Sequence, residues 1–358
     1  MRANKNKVLF VLKQVAIGGS ASSMINLFSI YKEKGVEFDL FLMDHSGVWT
    51  SEASQYANLL PKDFRLASSI TDKKNLKTFR QYFYRICYVI SHKLFGVNHA
   101  KKKLYSRAAK KLNHKYESVV AYQESETTEF ASYIKAKNKV AWIHTDFEKF
   151  RISYPSFSSK VMYQTFDKIA CVTESSVKSV IDHLGRTDKD VFLIRNMLPV
   201  SRICMRALEV SPEMAKKRKK FVFVSVGRLS PEKAFERIPQ IAKIMLDEGI
   251  DFDWQIIGDG ITAQHIKDEI VRVGVSDCVH MLGTKMNPYP YIKEADCLVI
   301  TSRYEAQPMV ANEALILGTP VISTEFASVN EVITEKTGIV VSQTIESIAE
   351  AIDRTSVV

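Results

Sequence analysis

The amino-acid sequence predicts an α/β protein of two parallel-sheet domains, each doubly wound with helices on both faces, and three observations carry that prediction. At 358 residues the chain is too long for one ordinary domain and suits two of roughly 150 to 200 residues each. Short apolar runs alternate with segments of helical spacing along nearly the whole chain, the pattern of strand–helix crossovers. Around residue 200 the alternation lapses into a proline-containing, strongly basic stretch and then resumes. Two domains of this kind imply a cleft.

Lys7 to Lys13 is the first expected strand. Its apolar centre, Val8 to Leu12, is five residues long, too short for a signal core or a membrane span despite the basic residues before it. A glycine turn follows in Ala16-Ile17-Gly18-Gly19-Ser20, and then a helix from Ala21 to Gly35 with Met24, Leu27, Phe28 and Tyr31 on one face. Val36 to Met43 reads as the second strand. Further strands are expected at Ser118 to Tyr122, Lys139 to Ile143, Lys168 to Val172 and Val191 to Ile194. Asn196 to Lys220, with two prolines and the run Lys216-Lys217-Arg218-Lys219-Lys220, is expected to be an irregular linker. The domains are therefore set at 1–199 and 200–358. In the second, strands are expected at Phe221 to Val226, Trp254 to Ile257, Val279 to Leu282, Cys297 to Thr301 and Pro320 to Ser323, with a closing helix from Ile345 to Arg354.

Apolar residues make up 46% of the chain and charged residues 25%, enough to fill two cores without cross-links. The five cysteines are scattered, with no Cys-x-x-Cys pair, which excludes a disulfide framework or zinc ribbon and points to a reducing, cytoplasmic compartment. The net charge of +10 is local. Lys73 to Lys115 holds thirteen Lys or Arg and no Asp or Glu, so the remainder sums to −3. A surface of this kind directs attention to one local partner and away from general nucleic-acid binding. Phe79, Tyr82, Phe83, Tyr84, Tyr88 and Phe95 are interleaved with those cations, which suits a helical region lying on an anionic bilayer, at the inner face of the plasma membrane. The alternative is a solvated helical face with a few core aromatics.

The richest segment runs from Thr301 to Val321. A strand ends near Thr301, a loop carries Glu305, Pro308 sits where a first helical residue belongs, and Gly318 with Pro320 closes the helix. Carboxylates at Glu305 and Glu313 bracket a helix start whose free N–H groups favour an anion. They repel phosphates themselves but can each accept hydrogen bonds from neighbouring sugar hydroxyls. Taken alone, two such glutamates read as a loop carboxylate and a solvated helical residue. Upstream, Gly227-Arg228-Leu229-Ser230-Pro231-Glu232-Lys233 also follows an apolar run, so Arg228 and Lys233 can reach the same sheet edge. Each cation singly would be a surface residue; together they suit a departing diphosphate that no metal neutralises.

These segments, with Gly18-Gly19, Ile256-Ile257-Gly258-Asp259-Gly260 and Asn287-Pro288-Tyr289-Pro290, resemble a retaining family 4 glycosyltransferase of the GT-B fold, similar to enzymes of bacterial surface-polysaccharide synthesis. The resemblance implies two Rossmann-like domains facing across a cleft and a nucleotide-sugar co-substrate, UDP-sugar favoured, with no metal or other cofactor. It implies that Arg228 and Lys233 hold the diphosphate, that Glu313 holds the ribose hydroxyls, and that Glu305 with the backbone N–H groups of Gln307 and Met309 beside Pro308 holds the transferring sugar. Gly227, Thr284 and Lys285 complete the donor side. Gly18 and Gly19 would let backbone approach the phosphates, and His144 matches the family's histidine that faces the sugar. From the residues alone, His144 is equally a satisfied strand-end histidine. Ala306 stands where the family often has glycine, which implies a tighter sugar pocket, and Ala21 replaces a frequent acidic or polar residue.

Asp251-Phe-Asp253 and Asp188-Lys-Asp190 have the Asp-x-Asp spacing of a metal site, but both precede strands and read as solvated turns. The acceptor implied is a glycan or lipid-linked hydroxyl, attacked on the face the leaving phosphate departs from. The rival readings are an inverting transferase or nucleotide-sugar epimerase on the same fold and, from another class, a basic nucleic-acid-binding protein.

Overall fold

A computed structural model describes residues 7–16, 18–70, 76–209 and 220–356, with side chains to 353. Lys73, Lys74, Ile17 and most of the basic linker run, Lys216 to Lys219, lie outside the described residues. The chain divides into two compact units, Met1–Met197 and Leu198–Val358.

The first unit is built on strands β1 (Val8–Leu12), β2 (Asp39–Leu42), β3 (Asn58–Leu59), β4 (Ser118–Ala121), β5 (Asn138–Ile143), β6 (Lys168–Cys171) and β7 (Val191–Leu193). They form one parallel sheet in the order β3-β2-β1-β4-β5-β6-β7, so the winding reverses between β1 and β4. On one face Leu9, Val11, Phe41, Phe130 and Ile143 are buried together. On the other, Phe10 meets Phe28 of helix α1 (Gly19–Glu33) and Tyr122. Strands this apolar on both sides need cover on both faces, which crossover helices supply.

The second sheet comprises β8 (Phe221–Val226), β9 (Phe252–Ile257), β10 (Val279–Gly283), β11 (Cys297–Ile300), β12 (Val321–Thr324) and β13 (Gly338–Val341). All pairs are parallel, in the order β10-β9-β8-β11-β12-β13. Its winding reverses between β8 and β11. Trp254 is fully buried yet satisfied, its Nε1 donating to Ser225 Oγ at 3.1 Å.

Three expectations are corrected. The second strand starts at Asp39 and not at Val36, because Gly35 at φ +74° turns the chain and the Val36 N–H bonds back to the Tyr31 carbonyl at 2.9 Å, finishing the helix cap. The linker is not irregular throughout: helix α10 (Val200–Arg206) forms in it, with Ile203 fully buried in the second unit. Its sequence gives little signal, since two prolines flank a region in which Ile203 and Ala207 are the inward residues. Edge strands β3 and β13 were not expected, being only two and four residues long. The Asp-x-Asp segments are indeed at strand starts, where Asp251 pairs with Lys220 at 2.9 Å and Asp190 with Lys168 at 3.2 Å.

Candidate active site

In a doubly wound sheet, ligands are taken at the carboxyl ends of the strands where the winding reverses. In the second unit the loops leaving β8 and β11 flank that point, and they hold Gly227 to Lys233 and Thr301 to Pro308. Hydrogen bonds lace the two loops together. Thr301 Oγ1 donates to the Lys233 carbonyl at 2.9 Å, the Arg303 N–H to the Glu232 carbonyl at 2.8 Å, and the Arg303 side chain pairs with Glu236 at 2.6 Å.

That lacing brings Lys233 Nζ to 2.7 Å from Glu305 Oε2, while Glu305 Oε1 accepts from Ser302 Oγ at 2.6 Å. The Glu305 side chain is only 8% exposed and Lys233 24%, so the pair is partly withdrawn from water. Arg228, on the same loop, is exposed. The β8 loop lies against the β9 loop backbone to backbone. A Cβ at Gly258, where φ is +147°, would sit 1.8 Å from the Gly227 carbonyl oxygen, and one at Gly260 2.2 Å from that of Leu229. The Gly258-Asp259-Gly260 segment is therefore a close-approach device. Ala234, next to Lys233, is a buried non-glycine residue in the left-handed region at φ 52°.

Helix α14 (Met309–Leu317) starts one residue later than expected: Pro308, at ψ 90°, is its N-cap, and Gly318 at φ 83° ends it. Ser328 donates to the carbonyls of Glu305, at 3.2 Å, and Ala306, which fixes the loop before the helix. Ala306 is buried and has no positive φ, so its Cβ is accommodated without backbone strain. Glu313 is buried in the second turn of α14, and burial pushes its carboxyl up to about 7 even though Tyr289 and Arg206 pull the other way. Tyr289 OH donates to Glu313 Oε1 at 3.3 Å from helix α13 (Tyr289–Glu294). Arg206, at the end of α10, lies 5.6 Å from the Tyr289 ring centroid and donates to the Met286 carbonyl at 2.8 Å. Thr284, exposed, and Lys285 follow β10, two strands away from β8, and Lys285 lies over Tyr291 at 5.6 Å. They are thus on the α13 side and not beside the Lys233–Glu305 pair. Tyr289, Arg206, Ser302 and Ser328 were missed as site residues; the Asn287-Pro288-Tyr289-Pro290 motif was the one signal pointing toward Tyr289.

The first unit places its polar groups at the equivalent point. Gly18 caps α1 and Gly19 begins it, and Ser20 Oγ accepts from Gln123 Nε2 at 2.8 Å, linking the β1 and β4 loops. Tyr122 OH shares a 2.8 Å hydrogen bond with Ser23, and its ring centroid is 4.4 Å from that of His144. Glu124 is buried, and its Oε1 accepts from the backbone N–H groups of His144 at 2.6 Å and Thr145 at 2.8 Å. Both ring nitrogens of His144 are buried and have no hydrogen-bond partner among the described residues. The ring is packed against Tyr122 and stacked on Trp142. Burial alone holds the imidazole near a pKa of about 3, so it is neutral.

Residues 209–356 match the family described as Glycosyl transferases group 1. The matched segment covers most of the second unit. The chain is 25% identical over 168 residues to an uncharacterized glycosyltransferase of Methanocaldococcus jannaschii, a match covering 46% of this chain and 41% of that protein. It is 25% identical over 190 residues to the O-antigen biosynthesis glycosyltransferase WbnH of Escherichia coli, covering 52% of this chain and 50% of the relative. The chain thus spans about half the length of these curated relatives or less. Among solved structures, Anabaena HepE in complex with UDP and glucose superposes with a TM-score of 0.73 over 97% of this chain and 89% of its own, at 15% identity. The fold is GT-B. The matched segment contains Arg228, Lys233, Glu305 and Glu313 together, while His144, Gly18 and Gly19 belong to the other unit.

Proposed function

We propose that the protein is a glycosyltransferase that takes a hexose from a nucleotide diphosphate donor, UDP-sugar by preference, and passes it to a hydroxyl of a surface glycan carried on lipid. The observation that carries this reading is the Lys233–Glu305 pair at the reversal point of the second unit, with Glu313 buried on the helix that follows. HepE, with UDP and glucose, and WbnH, of O-antigen biosynthesis, support the donor and acceptor classes.

In this reading Arg228 and Lys233 hold the diphosphate, and the first turn of α14 adds its unpaired N–H groups. Glu305 and the Gln307–Met309 backbone hold the sugar, and Glu313, steadied by Tyr289, accepts from the ribose hydroxyls. Lys233 must exchange its bond to Glu305 for one to phosphate, which frees a carboxylate oxygen for the sugar. The bond from the anomeric carbon to phosphate breaks, the acceptor oxygen bonds to that carbon on the same face, and the acceptor's proton goes to the departing phosphate oxygen. Two cations then replace a metal in stabilising the leaving group. His144, neutral and with unpartnered ring nitrogens, orients hydroxyls and does not take the proton. Gly18 and Gly19 keep the donor-side role that the resemblance implies for them.

A thermal-shift screen against UDP-, GDP-, ADP- and dTDP-sugars tests the reading, because a donor that binds only the folded state raises Tm. A rise with one nucleotide series is expected. No rise with any of them at millimolar concentration sinks it. Product anomeric configuration, determined by NMR, then separates retention from inversion.

A further inference from the structure

Helix α4 (Phe79–Phe95) is seventeen residues long and buries none of them. It is a firmly started helix all the same: Gln81 N–H donates to Thr78 Oγ1 at 3.3 Å, and Thr78 N–H donates to Gln81 Oε1 at 2.9 Å, a capping box. One side faces the first unit. Tyr84 meets the Phe64 ring at 6.2 Å, Arg85 donates to the Ser69 carbonyl, and Tyr88 packs against the core. The opposite side carries Phe79, Phe83, Ile86, Ile90 and Leu94, exposed by 88, 52, 55, 50 and 69%. At ~100° per residue these five fall within an arc of about 80°. Such an unbroken apolar stripe in water calls for a partner.

Charge decides which partner. Every Lys, Arg, Asp or Glu from Lys77 to Lys115 is a cation, eleven in all. Arg80 and Lys93 border the stripe, and Lys102 and Lys103 follow on helix α5 (Val97–Ala109). The two helices divide the work. Ala100, Leu104, Tyr105, Ala108 and Ala109 fasten α5 into the unit, and some of its cations are used internally, Lys101 on Glu129 at 3.0 Å and Arg107 on Asp63 at 3.5 Å. A second copy docked on α4 would bring two positive faces together. Phe79 and Phe83 alone could stack on bases, while Ile86, Ile90 and Leu94, the rest of the stripe, offer a nucleic acid nothing. An anionic bilayer satisfies both properties at once, the headgroups meeting the cations and the acyl boundary taking the stripe. No helix among the described residues is long and apolar enough to cross a membrane, so this one lies in the plane.

We propose that the Phe79–Leu94 face of α4 is a bilayer-docking surface that inserts into anionic lipid while α5 ties it to the first unit. The inference deepens the proposed function by naming the surface on which a lipid-carried acceptor is met, but its experiment needs neither donor nor acceptor. The protein is co-sedimented with vesicles of phosphatidylcholine with and without phosphatidylglycerol. Wild type is expected to bind the anionic vesicles at least about tenfold more tightly than the neutral ones, and F83D/I90D to lose that binding about tenfold or more. V161D, which puts the same charge on another exposed apolar residue of the unit, is expected to bind as wild type. Because F83D/I90D could fold poorly, F83W supplies a second readout: its emission shifts to the blue on anionic vesicles if the stripe inserts. Equal binding to both vesicle types, full binding by F83D/I90D, or no shift in F83W overturns the proposal. So does binding of RNA, or dimerisation, that F83D/I90D abolishes while wild type ignores vesicles. Failure here with an intact donor thermal shift leaves the transferase reading standing.

Discussion

Beside the first unit's reversal point the polar groups, His144 and Glu124, are desolvated; the imidazole is neutral and its ring nitrogens have no hydrogen-bond partner among the described residues. At the second unit's reversal point, Lys233 and Glu305 hold each other at 2.7 Å while Arg228 stands exposed. Two sheets with the same winding therefore treat charge in opposite ways. In the proposed reading the charged leaving group belongs to the second unit, which already stores compensating charge. In the same reading uncharged hydroxyl chemistry falls to the first unit, where burial keeps the His144 imidazole neutral near pH 7.

The largest effect should come from the cations. Arg228→Ala is expected to lower kcat by about a hundredfold or more, as for removal of a charge-stabilising donor, with an unchanged urea midpoint because the side chain is exposed. Lys233→Ala should lose at least as much turnover and also about 1–3 kcal/mol of stability, since it strands the 8%-exposed Glu305. Wild-type turnover in either variant would break the division between the units.

Next is Glu313, whose folded pKa of about 7 lies above its ordinary 4.5. Its contribution to stability is full below pH 4.5 and is lost as pH rises through 7. The loss amounts to about 3 kcal/mol. Glu313→Gln should flatten that part of the stability profile in urea titrations. Donor affinity in wild type should instead rise with pH across the same window, as the carboxylate forms. His144 runs the other way. Its folded pKa of about 3 lies below the ordinary 6.5, so its contribution is full above pH 6.5 and is lost as pH falls toward 3. His144→Gln should therefore lose less stability than wild type on acidification, and a kcat profile without a His144 limb between pH 5 and 8 would agree with a neutral ring. A wild-type limb that His144→Gln abolishes would contradict it.

The smallest expected effect is at Ala234. The left-handed backbone beside Lys233 costs roughly 1–2 kcal/mol, and Gly removes that while loosening the unfolded chain. Ala234→Gly should gain less than about 1 kcal/mol in a urea melt. A larger change in kcat than in stability would mean the strain positions Lys233.

Strands with apolar runs of four or more residues were legible in the sequence, because burial on both faces leaves a continuous signal; β8 matches to the residue. Edge strands β3 and β13 and helix α10 were not, because each has few inward residues and is stabilised by neighbours far along the chain. Lys233 and Glu305 were legible as candidates through their place after strands. Their mutual bond was not, and Tyr289, Ser302 and Ser328 became visible only as hydrogen-bond partners.

The sequence by itself determined the alternation of strands and helices, the glycines that permit close approach, and which residue types stand at strand ends, since these follow from local periodicity and steric limits. Tertiary structure alone decided which of those side chains meet, which are desolvated and what charge they carry. A hydrogen bond between residues 72 positions apart, or the dielectric around an imidazole, depends on how strands are ordered in the sheet, and no local pattern encodes that order.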